Sequence, residues 1–117
     1  MLVLLSPAKK VLNAWQPFTS KTTTPRFLGN SKVLVDIMKG KSVSDIAHLM
    51  DLSNDLATLN YDRYQHMDLE HQDLNQLYPA ELLFQGDVYE GLKASTMSES
   101  TLDYAQQHLG ILSGLFG

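Results

Sequence analysis

The feature that most constrains this chain is that its one strong strand signal comes at the start. Leu2-Val3-Leu4-Leu5 is a continuous apolar run ended by Ser6-Pro7. An edge strand would alternate apolar and polar residues, so the unbroken run reads as a buried strand, central in a sheet. One strand cannot make a sheet. The rest of the chain is patterned mainly for helices, and the last residues, Leu115-Phe116, read as the beginning of a second strand with no partner yet supplied. The expected class is therefore mixed α/β and helix-rich, a single partial domain over 1–117 that looks like part of something longer.

Between these ends the punctuation is clear. Residues 13–30 hold Pro17, Pro25, Gly29 and a Ser/Thr cluster, which is loop chemistry. Ser31 is expected to cap a helix carrying Leu34, Ile37 and Met38 on one face and ended by Gly40. Ser42 or Ser44 caps the next, with Val43, Ile46, Ala47 and Met50 at helical spacing. A break at Asp51-Leu52-Ser53 leads to a helix over about 54–64. Pro79 and Gly86 bracket a short helix over 80–85, and Asp87-Val88-Tyr89-Glu90 has the spacing of a capping box closed by Gly91. Ser100 precedes an amphipathic helix with Leu102, Ala105, Leu109 and Leu112 on one face, although Gly110 inside it costs about 1 kcal/mol relative to alanine.

Composition removes several function classes. The 117 residues contain no cysteine, so there are no disulfides, no thiolate zinc site and no thiol nucleophile. Met1 precedes too short an apolar run for a signal peptide, and no run approaches a membrane span, so a soluble, cytoplasmic protein is expected. The net charge of −4 argues against a generic nucleic-acid binder, but its distribution is polar. Residues 1–41 carry seven basic groups against Asp36, giving +6, while 42–117 carry Arg63 and Lys93 against twelve acids, giving −10. Such asymmetry points either to an anionic partner for the basic part or to two segments that neutralise each other.

Four groups of residues could carry chemistry. Lys9 and Lys10 come after the first strand, where ligands of open α/β sheets bind, though no glycine-rich phosphate loop precedes them. The segments around Asp51-Leu52-Ser53 resemble a helix-hairpin-helix, which offers helix N–H groups to a DNA phosphate without reading bases. Ser53 stands in the hairpin, and Asn60 and Arg63 lie one turn apart on the second helix. In Gly86-Asp87-Val88-Tyr89-Glu90-Gly91, Asp87 and Tyr89 are either acid–base groups or parts of a tight connector with a buried tyrosine. His66, Asp68, Glu70 and His71 are metal-ligand types at a spacing that matches no known signature.

Taken together, the blocks Met1-Leu2-Val3-Leu4-Leu5-Ser6-Pro7-Ala8-Lys9, Leu52-Ser53-Asn54-Asp55-Leu56-Ala57 with Asn60 and Arg63, Phe84-Gln85-Gly86-Asp87-Val88-Tyr89-Glu90-Gly91-Leu92, Asp103-Tyr104-Ala105-Gln106-Gln107-His108-Leu109 and Leu112-Ser113-Gly114-Leu115-Phe116-Gly117 resemble the bacterial YaaA family of peroxide-stress proteins. The resemblance implies a longer, cytoplasmic protein that limits oxidative DNA damage and free iron. It implies an α/β fold with a positively charged cleft, a helix-hairpin-helix element and DNA binding. On that pattern the chain is an N-terminal half, and the missing C-terminal half is itself an expected partner. Two positions depart from the pattern: Lys10 stands where threonine is usual, and Phe116 where tyrosine is usual.

The leading expectation is thus a non-enzymatic stress protein, without cofactor, that binds double-stranded or distorted DNA through Lys9, Lys10, Ser53, Asn60 and Arg63. Phosphate contacts of this kind are independent of base sequence and weaken with salt. An enzyme acting on a phosphorylated small molecule or nucleotide through Lys9, Asp87 and Tyr89 is the alternative. Iron binding through His66, Asp68, Glu70 and His71 is a second.

Overall fold

The structure is a computed structural model that describes residues 1–13, 16–18, 21–70 and 77–117. The chain divides into two compact units, one formed by Met1–Pro25 and Leu74–Leu115 with Gly117, the other by Arg26–Asp73 with Phe116.

In the first unit, β1 (Val3–Leu5) pairs in parallel with β2 (Leu109–Ile111), Val3 opposite Leu109 and Leu5 opposite Ile111. The class is mixed α/β and helix-rich, as expected, but the strands differ in two ways from the expectation. The second strand starts earlier than Leu115, which lies in a turn. Leu109–Ile111 continues the helical spacing of Leu102 and Ala105, and only pairing with β1 turns it into strand. Gly110 makes that pairing close, because a Cβ there would lie 2.9 Å from Leu4 Cδ2. Nor is β1 buried: Leu2 is 63% and Leu4 57% exposed. Among the described residues the sheet has two strands, so no third strand flanks β1. Full burial of a leucine contributes about 1.5–3 kcal/mol, most of which β1 does not realise here.

Between the strands, and after α1 (Leu28–Lys39), α2 (Val43–Met50) and α3 (Asn54–His66) of the second unit, lie α4 (Ala80–Leu83), α5 (Asp87–Leu92), a 3₁₀ turn at Ala94–Thr96 and α6 (Glu99–His108). Here, too, the boundaries shift from expectation. Helix α4 stops before Phe84, which is extended, and Gly86 caps the start of α5 at φ 113° rather than ending α4. With the glycine in that position, no side chain caps α5, and the expected Asp87–Glu90 box does not form. Lys93, at φ 50°, ends the helix in place of Gly91. Ser98, not Ser100, caps α6, its hydroxyl accepting from the Thr101 N–H.

The second unit is a three-helix arrangement of α1 (Leu28–Lys39), α2 (Val43–Met50) and α3 (Asn54–His66). Its core is Val35, Ile46 and Ala57, one residue from each helix, with Ile46 fully buried. Ser31 is not a cap but a buried helix-interior residue. Its hydroxyl donates back to the Phe27 carbonyl four residues earlier, so α1 begins a turn sooner than expected. Ser42 does form the expected cap, and a reciprocal one: it accepts from the Asp45 N–H while the Asp45 carboxylate accepts from the Ser42 N–H at 2.9 Å. Asp51 then closes α2 in the left-handed conformation, φ 51°, which aspartate tolerates better than most residues.

Candidate nucleic-acid interface

The two lysines at the end of β1 sit on a segment tied down on both sides. The Tyr89 hydroxyl donates to the Ser6 carbonyl at 2.6 Å, across 83 residues of chain. The Gln85 N–H donates to the Lys10 carbonyl at 2.9 Å, the Leu12 N–H donates to the Leu83 carbonyl at 2.9 Å, and Val11 bridges Phe84. Tyr89 packs its ring on Phe84, centroids 5.3 Å apart, and is 6% exposed. The backbone of Ser6–Leu12 is therefore held, while the side chains of Lys9 and Lys10 face solvent. Neither takes part in the ion pairs found among the described residues, which are Lys32 with Asp36 and Lys32 with Glu70. With the backbone fixed, only the two lysine side chains would need ordering on binding an anion.

The second unit holds the other three expected residues, on α3. The Ser53 hydroxyl accepts from the Leu56 N–H and so acts as the helix cap. The Asn60 side-chain amide donates to the Leu56 carbonyl at 2.8 Å, which commits its N–H to its own helix. Arg63 is exposed and outside both ion pairs, and is the cation of this group. The carboxylates of Asp51 and Asp55 stand exposed at either side of Ser53, a local charge that disfavours phosphate there. The basic and anionic groups of this unit partly neutralise each other elsewhere: Lys32 Nζ lies 2.9 Å from Glu70, and that contact raises the lysine's pKa.

The residues of the alternative sites are committed to local contacts or stand apart. Tyr89 is bound to the Ser6 carbonyl, and burial pushes its phenol pKa up, so the geometry gives it a tethering role. Asp87 is exposed on the first turn of α5. His66 Nδ1 contacts the Asp62 carbonyl, Asp68 accepts from the Glu70 N–H, and Glu70 is paired with Lys32. His71 lies outside the described residues. No group of three potential metal ligands comes together among the described residues. The sequence reading missed Phe84 and Gln85 as anchors of the lysine loop, since a main-chain N–H and a ring contact leave no signal in residue type.

A family model described as "Peroxide stress protein YaaA" matches residues 1–117, the whole chain. The chain belongs to the YaaA peroxide-stress family. It is 55% identical over 117 residues to a UPF0246 protein of Legionella pneumophila strain Paris, covering 100% of this chain and 46% of the relative. A UPF0246 protein of Marinomonas sp. strain MWYL1 is 47% identical over all of this chain and 45% of its own length. One from Magnetococcus marinus is 44% identical at the same coverage. The chain thus spans about half the length of the curated relatives it matches and corresponds to their N-terminal part. Among the described residues no helix is long and apolar enough to cross a membrane.

Proposed function

We propose that this chain serves a cytoplasmic peroxide-stress protein by holding DNA through its phosphate backbone and limiting oxidative damage to it. The observation that carries the reading is the Ser6–Leu12 segment, whose backbone is tied by Tyr89, Gln85 and Leu83 while Lys9 and Lys10 remain exposed and outside the ion pairs. Membership of a family named for peroxide stress supplies the context. Each unit brings its own phosphate-contacting element: the lysine loop in one, and Arg63 on the hairpin-like α2–α3 pair in the other. Nothing in either element reads a base edge, so any preference for bent, bubbled or damaged DNA comes from shape.

The test is fluorescence anisotropy of a labelled duplex, and of one with an internal bubble, titrated with the protein and with Lys9→Ala and Arg63→Ala variants. Binding that weakens in both variants supports the reading. Unaltered binding in both removes these residues from the interface. The lysine loop also supports a second reading, an anion clamp for a phosphorylated small molecule with Asp87 as its acid–base group, since Gln85, two residues before Asp87, donates its N–H to the Lys10 carbonyl. Protection by a nucleotide in a thermal melt, lost in Lys9→Ala, together with absence of DNA binding, would favour it.

A further inference from the structure

Strand β1 is exposed in a way that parallel strands seldom are. Its pairing with β2 uses one edge, and among the described residues the other edge has no strand beside it. One face is open, with Leu2 and Leu4 exposed, and the other is covered only in part, with Val3 exposed and Leu5 half-buried. Parallel sheets are found with both faces buried, and a pair of strands is marginal by itself. Strands that end a sheet usually protect it with a lysine, a proline or a bulge. Residues 2–5 contain none of the first two, and the register with β2 runs without a bulge. The strand has the chemistry of an interior strand and the surroundings of an edge. Meanwhile the relatives are aligned over their N-terminal part, and more than half of their length lies outside the match.

We propose that the free edge of β1, with the apolar face carrying Leu2 and Leu4, is the docking surface for an extended segment from the part of the family's chain that lies beyond the matched region. The occupant supplies main-chain hydrogen bonds to the β1 edge and apolar side chains over Leu2 and Leu4, so that β1 becomes interior. Burying this face also fixes the start of the Ser6–Lys10 segment, which leaves β1 directly. The inference does not depend on DNA binding.

The test compares hydrogen exchange of the Val3–Leu5 amides in two proteins. One is this chain alone, and the other is a chimera in which the remaining part of the Legionella relative is fused after Gly117. The expected result is exchange at least tenfold slower at these amides in the chimera, with the gain abolished by Leu2→Lys. Because Leu2 is exposed in the chain alone, Leu2→Lys should leave the chain's own melting unchanged. The chain has no cysteine, so Leu2→Cys provides a second readout. Adding the relative's remaining part as a separate polypeptide should slow thiol labelling at position 2. Two results overturn the proposal: exchange and labelling that are the same with and without the added part, or protection that rises with the concentration of the chain by itself, which would make a second copy the occupant.

Discussion

Replacing Tyr89 with phenylalanine removes one oxygen and probes the tether that shapes the lysine loop. The hydroxyl donates at 2.6 Å to the Ser6 carbonyl, and the ring rests on Phe84 with only 6% of the residue exposed. Phenylalanine keeps the ring contact, so the loss is confined to the hydrogen bond, a net of about 0.5–1.5 kcal/mol. The bond is part-buried, so the freed Ser6 carbonyl is not fully open to water and the expected cost lies inside that range rather than near zero. At about 4–8 °C per kcal/mol for a small domain, the midpoint should fall by several degrees. Tyr89→Ala should cost about 3–5 kcal/mol, because the ring goes as well. The diagnostic readout is local: amide exchange across Ser6–Lys10 should accelerate in Tyr89→Phe while the α2–α3 amides hold. The tether also has a pH signature. Burial raises the Tyr89 pKa in the folded state, so its contribution is complete below the unfolded value of about 10 and is lost as the pH rises through the folded one. The alkaline limb of the stability curve should therefore be shallower in Tyr89→Phe. An unchanged midpoint, with unchanged exchange at Ser6–Lys10, would refute the idea that Tyr89 holds the loop.

Two glycines near this tether should respond in opposite directions. Gly86→Ala should destabilise by about 1–3 kcal/mol although nothing would touch the added Cβ, because φ 113° with ψ 175° is a backbone region almost confined to glycine. Gly91→Ala, in open space inside α5, should stabilise by about 0.5–1 kcal/mol, and urea midpoints for the pair test both signs. In the second unit, Ser42→Ala should cost about 1 kcal/mol through loss of the α2 cap. The backbone and hydroxyl hydrogen bonds from Ser42 lower the Asp45 pKa. That contribution is present above the ordinary aspartate value and is lost as the pH falls through the lower folded one. Acid titration of stability should accordingly be flatter in Asp45→Asn.

Local signals made the second unit legible and left the first partly hidden. Ser42 with Asp45 is a cap that needs no partner beyond four residues, and the periodic Val43, Ile46 and Ala47 place the buried Ile46 correctly. Ser31 deceived because a serine before an apolar run suits a cap as well as a back-bonded interior position, and burial against the neighbouring helices decides between them. Leu109–Ile111 deceived for a longer-range reason. Its apolar spacing prolongs α6, and the competing pattern, three residues against β1, depends on contacts more than a hundred residues away. The His108 Nδ1 contact with the Met1 carbonyl, 107 residues apart, marks the same junction. Gly110 was the local clue, costly in a helix and suited to the close approach of Leu4. Lys9 and Lys10 were legible as a strand-end loop. Their pinned backbone was not, because it arises from Tyr89 and Gln85, which the chain delivers from more than seventy residues further on.

If Lys9, Lys10 and Arg63 meet phosphates, the salt dependence of DNA affinity reports it. For a protein and a duplex, log K falls linearly with log salt, with a slope of about −0.9 for each phosphate neutralised. The slope should become less steep by about 0.9 in each of Lys9→Ala, Lys10→Ala and Arg63→Ala, and the lost affinity should be the same for duplexes of different sequence. A folded protein that binds no DNA at low salt, or binds with a slope unchanged in all three variants, would remove these three residues from any phosphate contact.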